Sequence, residues 1–105
     1  MTENGIDHLT EESKELWRIF TEEYGIDDSG GREILKTGLE ARDRASGARK
    51  AIDAEGMTIL DRFGCRKPHP LLAAERDSRA QYLAALRALN LDLEPVKPVG
   101  RPPGT

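Results

Sequence analysis

A cysteine and a histidine four positions apart are the first residues of this 105-residue sequence that could carry chemistry. Cys65 is the only cysteine, and the second histidine, His8, lies far from His69 in an acidic segment, whereas a structural zinc site needs four ligands. A nucleophilic cysteine needs an activating base, and His69 is the only nearby candidate. We therefore expect no metal site and no cofactor, and we interpret Cys65 as a small, partly buried residue of a hairpin.

Nucleotide hydrolysis is not expected either. The one pair of adjacent glycines, Gly30-Gly31, follows Asp27 and Asp28, whose carboxylates would repel a phosphate group. The sequence contains no glycine-rich loop that would hold phosphates. It therefore predicts no catalytic residues, and we expect that the chain is not an enzyme.

Basic side chains carry the clearer signal, and they fall into two groups. Six lie between positions 32 and 50, and three lie between positions 62 and 67. Contact with DNA phosphates needs such a patch and makes binding depend on salt. The alternatives are a solvated helix with ion pairs four residues apart for the first group, and contact with a protein partner for the second. The residues predicted to bind DNA are Arg49, Lys50, Arg62, Arg66 and Lys67.

The overall charge and composition favour the same class of partner. Residues 1–31 carry nine acidic and two basic side chains, whereas residues 32–105 carry ten acidic and fourteen basic ones. A basic body indicates nucleic-acid contact, although a solvated surface of uneven charge would give the same numbers. Hydrophobic residues make up 37% of the chain, against about 45–50% with glycine included in average domains. Because the core is thin, we expect assembly to supply part of the stability.

The N-terminal residues and the hydropathy of the chain indicate where in the cell the protein is expected. The first residues are acidic and polar, without the basic start and apolar run of a signal peptide. No stretch approaches the roughly 20 apolar residues of a membrane span. We therefore expect a cytoplasmic protein with no membrane partner.

Capping residues and helical spacing predict where the first helix lies. Residues 1–9 are expected to be a disordered lead. Thr10 is a plausible N-cap for a helix over about residues 11–24, and Gly25 is a natural stop. The aromatic side chains on one face of this helix are interpreted as packing anchors rather than as a platform for bases; they are Trp17, Phe20 and Tyr24.

A long second helix is predicted over about residues 32–55, after a linker at 26–31, with Asp28 or Ser29 as its cap and Gly56 as its end. Its inner face repeats in steps of four and three, as heptads do, but its middle consists of small residues. This small-residue stripe lets a partner helix approach closely, either from this chain or from a neighbouring subunit, and we predict that it forms a homo-oligomer interface. The stripe consists of Ile34, Gly38, Ala41, Ala45, Ala48 and Ile52, with Leu35 and Leu39 on one flank.

Short, partly β-branched segments follow the second helix. Residues 57–60 and 65–67 are predicted to be the arms of a small β-hairpin, or an extended excursion, around the turn residues Asp61 and Gly64. Pro70 is placed to begin a third helix that runs to about Leu89. Asn90 is expected to adopt the left-handed conformation, with the next residue folding back onto the last turn.

The sequence thus predicts a mainly α fold: an N-terminal helix, a long central helix, a short β-hairpin, a C-terminal helix and an extended Pro-rich tail. We divide the chain into an acidic N-terminal arm with one helix (1–31), a helical body with the small hairpin (32–93) and a flexible Pro-rich tail (94–105).

The stretch from His69 to Pro95 resembles the C-terminal part of phage terminase small subunits. In one large group of these proteins, a hairpin that begins at glycine is followed by His-Pro and a helix, which ends in a Leu-Asn/Gly-Leu step. The tail sequence GRPPG also looks like the tails of such proteins, and the resemblance covers about residues 35–104. The matching residues are Gly56, His69-Pro70, Leu86, Leu89, Asn90, Leu91 and Gly100–Gly104.

This resemblance implies a viral DNA-packaging adapter. Such subunits form oligomers, bind viral double-stranded DNA, and recruit or regulate the large terminase subunit, which holds the ATPase and the nuclease. The chain departs from many members because it lacks a clear N-terminal helix-turn-helix, so DNA contact is expected from basic residues of the body, repeated around an oligomer. The alternatives are a small phage DNA-binding regulator and a protein-interaction module with no packaging role.

Overall fold

Three helices and one hairpin make up the fold in a computed structural model that describes residues 5–91. The elements are α1 (Glu11–Arg18) with a π-helical turn (Ile19–Glu23), α2 (Ser29–Glu55), β1 (Thr58–Leu60), β2 (Arg66–Pro68) and α3 (Leu71–Ala88). The strands pair antiparallel between the second and third helices. The predicted mainly α fold is confirmed, hairpin included, whereas the Pro-rich tail predicted at 94–105 lies outside the described residues.

The helices begin where polar side chains satisfy their free N–H groups. The Thr10 hydroxyl accepts the N–H of Ser13 at 3.2 Å, and the Asp28 carboxylate accepts the N–H of Gly31 at 2.8 Å. Both caps agree with the sequence prediction. Because Asp28 is the cap, α2 begins at Ser29, three residues before the predicted Arg32. The glycine pair therefore belongs to the first turn of α2 and not to a linker.

The helices end at residues with left-handed backbone. Gly56 has a φ of +94° and donates its N–H to the carbonyl of Ile52 at the end of α2. Asn90 has a φ of +59°, and the N–H of Leu91 donates to the Leu86 carbonyl at 2.8 Å. The predicted left-handed Asn90 and the return of Leu91 onto α3 are confirmed.

The hydrophobic core lies where the N-terminal segment and first helix meet α2 and the end of α3. The sequence placed Leu35 and Leu39 only on the flank of the stripe, but both are fully buried in the core. Ile34, which belongs to the stripe, is 39% exposed. Ile34 is therefore the one member of the stripe that is exposed, and its neighbour Leu35 is buried in its place. The core residues are Ile6, Leu9, Trp17, Phe20, Ile26, Leu35, Leu39, Leu86 and Leu91.

Two expectations for the N-terminal region are wrong. Ile6 and Leu9, placed in a disordered lead, are buried core residues, and the N–H of Leu9 donates to the carbonyl of Ile6. Tyr24, expected as a packing anchor, is exposed and touches Phe20 edge-on with ring centroids 5.5 Å apart. The π-helical turn before Tyr24 shifts the helix phase, because π turns contain more residues than α turns.

The small-residue stripe is filled by this chain itself. A Cβ placed on Gly38 would lie only 2.6 Å from the Cβ of Ala85, so α3 packs directly against the backbone of α2 there. The sequence left open whether the partner helix comes from this chain or from a neighbouring subunit, and in the structure α3 of this chain packs on the stripe. Its use by a second copy stays a prediction. The other buried members of the stripe are Ala41, Ala45, Ala48 and Ile52.

We predict that Gly38→Ala lowers the free energy of unfolding by about 1–3 kcal/mol, because the new methyl group collides with the rigid Cβ of Ala85. Gly47→Ala, on the same helix with no atom within 4 Å of the new Cβ, should raise it by about 0.5–1 kcal/mol through helix propensity alone. Urea titration followed by circular dichroism measures both. Equal stability of the two variants would contradict a tight contact at Gly38.

Asp43 ties the N-terminal segment to α2. Its carboxylate accepts the Ser13 hydroxyl at 2.6 Å, the Thr10 hydroxyl at 2.8 Å and the Thr10 N–H at 2.9 Å. Partial burial by itself raises the pKa of Asp43, but the hydrogen bonds from Ser13 and Thr10 outweigh it and hold the pKa below its ordinary value. The charged form is therefore the one that stabilises the fold.

Asp43→Asn should lower the free energy of unfolding at neutral pH by about 1–3 kcal/mol. The pKa of Asp43 is lower in the folded state than in the unfolded state. The loss of stability in Asp43→Asn relative to wild type should therefore be complete above about pH 4. It should disappear as the pH falls through the folded-state pKa of Asp43. Urea titrations from neutral pH down to acid pH test it, with the exposed Asp27→Asn as control. A difference that stays constant with pH would refute the role of the charge.

Candidate nucleic-acid interface

The predicted hairpin is confirmed, and its turn is tightly built. Asp61 donates its N–H to the carbonyl of Cys65, and the N–H of Gly64 donates back to the carbonyl of Asp61. One oxygen of the Asp61 carboxylate accepts the N–H groups of Phe63 at 2.8 Å and Cys65 at 2.9 Å. Gly64 has a φ of +81°, which closes such a turn. The tip therefore holds a fixed shape although each strand has only three residues.

His69 joins the hairpin to both neighbouring helices. Its backbone N–H donates to the Met57 carbonyl at 2.8 Å. Its ring is buried, Nδ1 accepts the N–H of Leu71 at the start of α3, and Nε2 lies 2.7 Å from Oε1 of Glu55 at the end of α2. Because the Leu71 N–H can only donate, the ring proton lies on Nε2 and points to Glu55. This single side chain fixes the position of the hairpin relative to the two helices.

Three cations lie on this hairpin, and all of them are exposed. The Arg66 guanidinium donates to the Thr58 hydroxyl at 2.9 Å, and the Arg62 guanidinium lies 5.0 Å from the centroid of the Phe63 ring. Within residues 5–91, none of Arg62, Arg66 and Lys67 forms an ion pair with a carboxylate. The structure places these three predicted residues on one hairpin, with Arg66 and Lys67 as successive residues of β2 on opposite faces of the ribbon.

The hairpin also exposes apolar side chains that sequence reasoning missed. Met57 is 65% exposed, Leu60 is 60% exposed and Phe63 is 76% exposed. The segment has the pattern of a strand with apolar residues for a core, but a two-stranded hairpin of this length has no second layer to cover both of its faces. Cys65, expected to be partly buried, is exposed for the same reason.

The helical part of the predicted site behaves differently. Arg49 lies 3.7 Å from both Asp53 and Glu75, so its charge is partly balanced. Glu75 also accepts two bonds from Arg79, at 3.0 and 3.2 Å, which hold the pKa of the Glu75 carboxyl below its ordinary value. Lys50 is exposed and has no ion pair among the described residues. The predicted DNA-binding residues thus lie on two elements, Arg49 and Lys50 on α2 and the other three on the hairpin.

Comparisons with protein-family models, with curated proteins and with solved structures gave no match for this chain. Over the part of the chain that the structure describes, no three His, Cys, Asp or Glu side chains lie close enough to hold a metal ion. In the same residues, no helix is both long and apolar enough to cross a membrane. The candidate site therefore rests on the geometry and charge of the hairpin itself.

We predict that His69→Ala lowers the free energy of unfolding by about 1–3 kcal/mol, because it removes a buried ring and the acceptor of the Leu71 N–H. His69→Asn should recover part of this loss, since asparagine can accept the same N–H. His8→Ala removes a comparable 2.7 Å contact with Glu40, but an exposed one, and should cost no more than about 1 kcal/mol. Chemical denaturation measures the free energy of unfolding of the three variants. If His69→Ala were as stable as His8→Ala, the His69 ring would not stabilise the junction between the hairpin and the helices.

Proposed function

We propose that this chain is a DNA-binding adapter of viral genome packaging, of the terminase small-subunit kind, and that it is not itself an enzyme. The observation that carries the proposal is the hairpin, which presents Arg62, Arg66 and Lys67 without a carboxylate partner among residues 5–91. The hairpin has one carboxylate, Asp61, and one of its oxygens accepts two backbone N–H groups of the turn, so a single negative charge stands against three positive ones. An anionic polymer is the partner that such a surface favours.

Duplex DNA suits this surface because its phosphates are closely spaced. Each phosphate that a cation neutralises releases condensed counterions, and this release drives binding at low salt. One hairpin reaches only a few phosphates, so the affinity of a single copy is weak. Several copies in an oligomer multiply the contact, since the second and later hairpins bind at a high effective concentration.

Lys50 extends the proposed surface more effectively than Arg49. Both are exposed on α2, toward the end that leads into the hairpin. The charge of Arg49 is shared with Asp53 and Glu75, and breaking those pairs reduces what a phosphate contact contributes. We assign Arg49 a secondary role in binding and keep Lys50 with the hairpin cations.

The packaging role rests on the resemblance to terminase small subunits. The residues that carry it have structural tasks here: Gly56 ends α2, His69 joins the helices, and Asn90 with Leu91 ends α3. A sequence pattern of this kind therefore describes how the hairpin is held between two helices. Recruitment of the large terminase subunit, assembly into a homo-oligomer and action in the bacterial cytoplasm belong to the proposal.

The proposal predicts that changing Arg62, Arg66 and Lys67 together to alanine weakens binding to every DNA sequence. The slope of log K against log salt should flatten by up to about 2.7, at about 0.9 for each phosphate that is no longer neutralised. Fluorescence anisotropy with duplex DNA at several salt concentrations measures this. The matched control changes Arg44, Arg76 and Arg87 to alanine, which removes the same charge from exposed helical positions and should affect binding much less.

Each outcome separates one alternative. Equal weakening by the two triple variants would mean that only net charge matters and would remove the hairpin from the site. No DNA binding by wild type at low salt would favour the protein-interaction module. DNA binding by a protein that fails to co-purify with a large terminase subunit would favour the small regulator.

A further inference from the structure

The most exposed large hydrophobic side chains of the described residues are gathered on the hairpin. Met57, Leu60 and Phe63 are each at least 60% exposed, more than any other large hydrophobic residue between positions 5 and 91. Apolar groups gathered in this way mark a contact surface, since solvation of such groups is unfavourable. They share this short hairpin with three cations that have no carboxylate partner among residues 5–91, so the hairpin is both apolar and positively charged.

Phe63 occupies the apex of this surface. The turn places it two residues after Asp61, and its N–H is held by the Asp61 carboxylate, so its backbone is fixed. The ring remains 76% exposed although the Arg62 guanidinium lies 5.0 Å from its centroid. A flat ring backed by a flat cation is a group that stacks on nucleobases.

Phe63 indicates which groove the tip would enter, because apolar side chains that insert between base pairs do so from the minor groove. Arg62, Arg66 and Lys67 offer hydrogen-bond donors only, and such donors can bind acceptors on base edges in either groove. In the minor groove, A·T pairs present acceptors only, whereas G·C pairs add a donor from guanine. Within the minor groove, the three donor-only side chains therefore match A·T pairs.

We propose that the hairpin tip enters the minor groove of A·T-rich duplex DNA and inserts the Phe63 ring between two base pairs, so that the DNA kinks. This inference rests on the proposed function and assigns the apolar part of its site. A pyrimidine–purine step such as TpA is the point of entry, because such steps unstack most easily. Apolar wedges inserted at such steps bend duplexes toward the major groove.

The test uses the full chain and short duplexes with a central TpA step. One duplex carries 2-aminopurine beside that step, and the fluorescence of this base rises severalfold when it unstacks. A second duplex carries a donor dye at one end and an acceptor dye at the other. Wild-type protein should raise the 2-aminopurine fluorescence of the first duplex. It should also increase energy transfer between the dyes of the second, because a bend of roughly 20–90° brings the two ends closer together. A duplex with a G·C-only centre should show much smaller changes at equal saturation.

Phe63→Ala should bind DNA more weakly than wild type, because the stacking contact is lost. At equal saturation of the duplex, both signals should return to those of free DNA, and Phe63→Trp should restore them. Leu83→Ala, which removes an exposed apolar side chain from α3, is the matched control and should behave as wild type. Wild-type binding without either signal, or signals retained by Phe63→Ala, would overturn the wedge and leave the DNA-binding proposal standing. Failure of wild type to bind any duplex at low salt would overturn both.

Discussion

The whole architecture depends on how closely α3 can approach α2. At Gly38 the two helices are so near that an added methyl group would meet Ala85 at 2.6 Å. Small residues on one helix let the other come within full van der Waals contact, and dense packing compensates for the small area that each alanine buries. The N-terminal segment and α1 then cover the remaining side of α2, where Leu35 and Leu39 are buried. A chain with few large hydrophobic residues thereby builds one core.

The same close pairing sets the position of the hairpin. The hairpin is the connection between two helices that are already locked together, and His69 fixes it to the end of one and the start of the other. A two-stranded ribbon of three-residue strands is marginal in water by itself. Here its base is held by the helices, and its tip by the Asp61 carboxylate. Because both ends of the hairpin are held, a partner loses little free energy in ordering its backbone.

Local sequence signals predicted most of the elements, because the interactions that end helices are themselves local. Thr10, Asp28, Gly56 and Asn90 act within four residues of the helix ends that they define. Burial was harder to predict, since it depends on which elements meet. Nothing near Ile6 or Leu9 in the sequence shows that α2 lies beneath them. The phase of α2 was likewise ambiguous, because Ile34 and Leu35 are adjacent and equally apolar, and only the packing of α1 and α3 decides between them.

The candidate site likewise has features that the sequence shows and features that only the packing of the elements determines. The charges of Arg62, Arg66 and Lys67 are visible in the sequence, and their close spacing on a short element was enough to single them out. The partial neutralisation of Arg49 was hidden, since Glu75 lies twenty-six positions away on another helix. The exposure of Met57, Leu60 and Phe63 was hidden too, because apolar residues in a strand pattern ordinarily indicate core. In a chain whose core is thin, three large apolar side chains left exposed forgo burial that would stabilise the fold. The proposed DNA contact gives these side chains a use, since it combines them with cations that have no carboxylate partner among residues 5–91.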